Sequence, residues 1–239
     1  MKILLTSLAL LLLLTVPAWA IQHLSYSWED CTGTILGYSG NLANPTNVTG
    51  LQAGSKGDVP PLTWSCPGAY DGVRYLHVAE SPHSSTPQAY LVCITGLQTG
   101  DSVYASYWGW DDEATDPYPS LRIWAHYSNA VLCSDCPGDY EGSAGEGRNN
   151  TGYTAGTGWE KMSASWIYGV DGSPYADAAA LVIEMRLYSS PTTSTVYSTD
   201  YWADLVEVSI PDHARACFPD WSPTPVENTT WGRVKSLFR

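Results

Sequence analysis

Along most of the chain, apolar positions recur at every second residue, in short runs that end at turn residues. Such runs lie at 90–94, 103–110, 120–127, 159–168, 181–188 and 201–210. Period two places successive side chains on opposite faces of a strand. Thr95-Gly96 and Gly100-Asp101 are turn signals, and 111–119 is a polar, Pro-containing loop. Residues 133–158 are rich in Gly, Ser, Asn and Asp, which reads as a long loop or paired turns. Only 176–187 has helix-forming composition. Yet Leu181, Ile183, Met185 and Leu187 alternate there with Val182, Glu184, Arg186 and Tyr188, so a strand is expected. Short strands at this spacing predict a sandwich or barrel.

The two ends break the pattern. Lys2 precedes an almost purely apolar run at 4–16, and Ala18-Trp19-Ala20 follows as a small-x-small cleavage site. This reads as a signal peptide at 1–20, and the run is shorter than the ~20 residues of a membrane span. No second run is long enough to cross a membrane. Pro211, Pro219, Pro223 and Pro225 mark 212–230 as a Pro-rich linker. Residues 231–239 carry Arg233, Lys235 and Arg239, and Thr229 or Thr230 is placed to cap a short amphipathic helix there. The sandwich is therefore expected at 21–211.

Charge narrows the partners. The chain carries a net charge of −13, one more negative without Lys2. Phosphate neutralisation drives nucleic-acid binding, so nucleic acid is excluded as a natural partner, as is an anionic membrane surface. The 11 Trp and 16 Tyr against 2 Phe favour half-exposed rings with a polar edge, although aromatics also favour strands in general. All six cysteines lie beyond residue 20, an even count that suggests up to three disulfides in an exported protein. Cys133 and Cys136 form a CxxC without a second pair for zinc or a βαβ setting for redox chemistry, so a local loop disulfide is expected. Cys31, Cys66, Cys93 and Cys217 then allow three pairings.

Three strands carry a polar and aromatic face: Tyr104, Ser106, Trp108 and Trp110; then Arg122, Trp124 and His126; then Glu184, Arg186 and Tyr188. On one sheet surface these form a platform. Trp108, Trp124 and Tyr188 offer rings for the C–H face of a sugar, and Arg122, His126, Glu184 and Arg186 bond its hydroxyls. The other reading is that the rings belong to the core.

From about Ser25 to Pro211 the chain resembles the jelly-roll carbohydrate-binding modules, galactose-binding-like sandwiches attached to secreted glycoside hydrolases. The likeness lies in Trp28-Glu29, DGVRYLHV at 71–78, GWEKMS at 158–163 and YWADLV at 201–206. It implies a single all-β antiparallel sandwich, flanked here by the signal helix and the short C-terminal helix. It also implies a structural calcium between first and last strands, with Glu29 and Asp204 as carboxylates and oxygens from 71–74. Ala203 stands where many members have a further Asp, which removes one carboxylate; two solvated or ion-paired acids account equally well for Glu29 and Asp204. The segment TWGRVKSLFR at 230–239 is similar to a Trp-Gly tail of exported bacterial proteins and implies attachment to a cell surface. The sequons at Asn47, Asn149 and Asn228 matter only in a eukaryotic secretory route.

No catalytic motif appears: there is no Gly-x-Ser-x-Gly, phosphate loop, dinucleotide fingerprint or His-Glu-x-x-His. Hydrolysis of a glycan needs two facing carboxylates, and the platform supplies only Glu184. The leading expectation is an exported, non-catalytic module that binds a polysaccharide or other glycan. A structural or adhesive surface protein is second, and a jelly-roll polysaccharide hydrolase or lyase third.

Overall fold

The computed structural model describes residues 20–29, 35–39, 48–53, 69–72, 74–80, 88–111, 121–154, 158–187 and 199–219. The signal peptide, Cys31, Cys66, Tyr188 and the C-terminal helix and tail lie outside the described residues.

Among the described residues twelve strands form: β1 (Ile21–Tyr26), β2 (Gly37–Ser39), β3 (Val48–Ala53), β4 (Arg74–Glu80), β5 (Gln88–Thr95), β6 (Ser102–Asp111), β7 (Leu121–Ser128), β8 (Tyr140–Gly145), β9 (Glu160–Ile167), β10 (Ala180–Leu187), β11 (Thr199–Pro211) and β12 (Arg215–Cys217). Sheet A has the order β3-β4-β11-β6-β9, with β1 also paired to β11. Sheet B has the order β12-β5-β10-β7-β8, with β2 also paired to β5. Every pairing is antiparallel. From β4 onward the chain passes from one sheet to the other at almost every connection, giving the two-sheet β-sandwich that the alternation predicts. The segment at 180–187 is a strand, as its period requires. Among the described residues no helix is long and apolar enough to cross a membrane.

The alternation fills the core. In β9, Met162, Ala164 and Trp166 point inward while Lys161, Ser163 and Ser165 point out. Val103, Ala105 and Tyr107 of β6 meet Leu121, Ile123 and Ala125 of β7 and Leu181, Ile183 and Met185 of β10 between the sheets. Each large aliphatic buried there contributes roughly 1.5–3 kcal/mol. The phenol of Tyr107 crosses the core and donates to the carbonyl of Arg122 at 3.2 Å.

Two differences from the sequence reading have clear causes. Within the segment expected as loop, 140–145 is the edge strand β8, whose glycines made it look like a turn. Gly142 is required because a Cβ there would lie 2.1 Å from the carbonyl oxygen of Ser173. The chain at 173–175 runs this close along β8, with Ser173 N–H on Ser143 O and Tyr175 N–H on Glu141 O. The sandwich also continues past 211, because β12 joins the edge of sheet B against β5.

The cysteines correct the expected local bridge. Cys133 and Cys136 are not joined to each other; the disulfides are Cys93–Cys136 and Cys133–Cys217. Cys93 and Cys217 are direct partners across β5 and β12. A single 3₁₀ turn at Cys133–Asp135 sets the two CxxC sulfurs apart, one over each strand. The loop at 129–139 is thereby fastened over one half of sheet B's outer face. With Ala130 of the loop itself, it buries Tyr90, Ala180 and Val182 of the sheet. Disulfides of this kind form in an oxidising compartment.

Candidate functional site

Register places most of the expected platform together. On sheet B, Glu184 lies opposite Trp124 and Arg186 opposite Arg122, across β10 and β7. His126 follows on the same face of β7. Trp108 does not join them: β6 belongs to sheet A, so its outward side chains lie on the opposite side of the molecule. There Trp108 stacks on Tyr70, with ring centroids 3.7 Å apart.

Glu184 is the centre of the sheet B patch. It is fully buried, and His126 is 2% exposed. His126 Nδ1 donates to Glu184 Oε1 at 2.5 Å, the tautomer that a carboxylate partner selects. Arg186 Nε donates to Glu184 Oε2 at 3.1 Å. In the amide orientation that satisfies both neighbours, Gln88 donates to Glu184 Oε2 and accepts from Arg186, at 3.1 and 3.0 Å. Three polar side chains from three adjacent strands thus converge on one carboxylate. A lone buried carboxylate would be unsustainable; this one has each oxygen bonded.

Rings surround this centre, though differently from the expected platform. Trp124 does not offer both faces, because the Arg186 guanidinium lies 3.9 Å over its ring. Its buried indole Nε1 has no hydrogen-bond partner among the described residues. Tyr90 packs 4.8 Å from His126 on the side of the disulfide-bound loop, and Tyr140 lies 5.5 Å away on the other. Tyr140 and Tyr175 are 56% and 62% exposed, and these are the rings open to a ligand. Burial pushes the Tyr140 phenol above its ordinary range, reinforced by Tyr175 and Glu184 and opposed by Arg186. At the rim, Arg122 binds Glu146 at 3.0 Å, and Asn150 donates to the other Glu146 oxygen at 3.0 Å.

Sequence reasoning missed Tyr140, Tyr175 and Gln88. Tyr140 and Tyr175 stand in Gly- and Ser-rich stretches that read as turns. The available signal was a large ring isolated among small polar residues, where no core explains it.

Glu29 and Asp204 meet the same turn from two sides. Asp204 is fully buried and accepts from the backbone N–H of Asp71 at 2.8 Å and of Leu205 at 2.7 Å. Gly72, at φ +60°, has no Cβ, and one placed there would lie 2.3 Å from Glu29 Oε1. Two non-glycine residues beside these acids hold positive φ, Trp28 at 54° and Leu205 at 42°. Backbone strain of this kind persists only where the surroundings enforce it. Burial pushes the Asp204 carboxyl up to about 7, against the lowering effect of its backbone hydrogen bonds. Among the described residues no three His, Cys, Asp or Glu side chains are grouped as metal ligands. A cation here would therefore need backbone oxygens besides the two acids.

No protein-family model matches the chain, and no curated protein does. Solved structures similar to it include the K2 cleaved adhesin domain of Lys-gingipain, at 12% identity and TM-score 0.41, covering 78% of this chain and 99% of that one. The K3 cleaved adhesin domain of Lys-gingipain from Porphyromonas gingivalis is 14% identical with TM-score 0.39, covering 80% and 99%. A Clostridium thermocellum endo-1,4-beta-D-xylanase, its CBM22-1 and GH10 modules complexed with xylohexaose, is 15% identical with TM-score 0.37, covering 78% and 28%. At these scores the likeness bears on neither ligand nor activity.

Proposed function

We propose that the protein is an exported, non-catalytic module that binds a glycan on the outer face of sheet B. The observation that carries this reading is the converged network of Glu184, His126, Arg186 and Gln88 beside two exposed tyrosines. A sandwich core does not need a buried ion network on its outer face, and apolar residues there are often as stable or more so. Fixed donors and acceptors beside open rings suit a sugar, whose hydroxyls take paired polar contacts while its C–H face lies on an aromatic. Export is supported by the signal-like N-terminus and the two disulfides, and the basic tail at 231–239 would fasten the protein to a surface. Calcium belongs to the same reading. Glu29 and Asp204, with oxygens from 71–74, would hold it and tie β1 to β11.

The test is retardation of the purified protein in native gels containing neutral soluble polysaccharides. Retardation by at least one, weakened in Tyr140→Ala at unchanged melting temperature, supports the reading. A wild-type protein that no polysaccharide retards overturns it in favour of a spacer or adhesive role. Release of reducing ends would replace it with a hydrolase.

A further inference from the structure

The opposite face of the sandwich holds a groove of about 700 Å³, lined by His23, Ser25, Tyr104, Lys161, Glu207 and Ser209, with Asp71 and Leu205 at one end. That volume lies within the range of roughly 300–1,000 Å³ typical of small-ligand sites.

The groove is built across four strands of sheet A. One row runs His23, Ser209, Tyr104 and Ser165; the next runs Ser25, Glu207, Ser106 and Ser163. Of these, Ser25, Ser209 and Tyr104 bring hydroxyls into the groove, each able to donate and accept. The bulge between Asp204 and Glu207 keeps both acids on the outer face of sheet A, opposite Trp108 and Ser106. Asp204 turns to the 69–72 turn, and Glu207 turns out into the groove. There Glu207 binds Lys161 at 2.7 Å and accepts from Ser106 at 3.3 Å, while His23 and Ser209 bond each other at 2.7 Å. Lys161 and Glu207 cancel each other's charge. Tyr104 adds an aromatic ring to the lining.

Three hydroxyls, a self-neutralised ion pair and the Tyr104 ring, on a chain of net charge −13, match a neutral polyhydroxylated ligand and disfavour an anion. We propose that this groove is a second glycan site, for a neutral sugar chain, facing away from the first. One molecule then holds two chains and cross-links them.

Native gels containing xylan, mixed-linkage glucan or galactomannan, with polygalacturonate as the acidic control, test this. Tyr140→Ala, which alters only the sheet B face, keeps a residual retardation by a neutral polymer. Adding Ser209→Trp, which fills the groove, lowers that residual affinity at least tenfold. Tyr104→Ala in the same background does the same without adding bulk. Wild type precipitates the neutral polymer, and neither Tyr140→Ala nor Ser209→Trp alone does so. The second site is overturned if Tyr140→Ala abolishes all retardation, if both groove variants match their parent while still folded, or if only polygalacturonate binds. Retardation lost in Ser209→Trp and unchanged in Tyr140→Ala keeps this site and removes the one on sheet B.

Discussion

The two outer faces of the sandwich handle charge in opposite ways. On sheet B the central acid has no exposure, and its partners come from three strands beside a disulfide-fastened loop. On sheet A the central pair, Lys161 and Glu207, is 36% and 40% exposed, and nothing described roofs it. A buried network is costly to build and fixed once built; an exposed pair contributes little stability and reorients readily. The difference teaches where stability and binding are coupled. Changes to the buried network of sheet B should alter both, whereas changes to the exposed pair of sheet A should alter mainly binding.

The largest expected effect tests the loop fastened over sheet B. Replacing Cys133 and Cys217 together by alanine removes one fastening of 129–139. Native disulfides of small exported domains contribute roughly 2–5 kcal/mol, so a fall of that size in denaturant unfolding is expected. Limited proteolysis should then cut within 129–139. Glycan retention on sheet B should fall with it, while retention on sheet A persists.

Next is Asp204, whose carboxyl is raised to about 7. In chelator, below pH about 4, both folded and unfolded states hold this proton. As pH rises from there, the unfolded chain ionises first, so stability falls. The loss is complete above about 7 and amounts to roughly 4 kcal/mol at most. Asp204→Asn should flatten this slope in thermal melts across that window. Added calcium should raise the melting temperature of wild type at pH 8 and leave Asp204→Asn unmoved; an unmoved wild type removes calcium from the account.

Glu184→Ala leaves His126 and Arg186 without their common partner, and a loss of roughly 3 kcal/mol in urea unfolding is expected. Glu207→Ala, the matching change on sheet A, should cost less than about 1 kcal/mol. Equal costs would erase the contrast between the faces. The smallest stability effect belongs to Tyr140→Ala, within about 0.5 kcal/mol by thermal melt, although binding to sheet B should be lost.

Much of this architecture could be read from alternation alone. Six strands were anticipated within a few residues of their observed bounds, including 180–187 against its helix-forming composition. Period two also separated inward from outward side chains on β6, β7 and β10. It could not say which strands share a sheet. Trp108 and Trp124 have the same local pattern and lie on opposite faces because the chain changes sheets between β6 and β7. Spacing likewise favoured a bridge between Cys133 and Cys136, whereas the pairing of β12 with β5 brings Cys217 and Cys93 beneath them. Tyr140 was hidden because Gly142 marks a close backbone approach and not a turn.

The central claim, a glycan site on the outer face of sheet B, is tested most directly at the Trp124 indole. Its N–H lies beside Arg186 and has no partner among the described residues. A ¹⁵N-labelled sample titrated with oligosaccharides from whichever neutral polysaccharide retards the protein should shift that indole resonance saturably. Backbone signals of 122–126, 140 and 184–186 should move with it, and Tyr140→Ala should abolish all of these shifts. Saturable binding that leaves Trp124 and these backbone signals unmoved would contradict the claim.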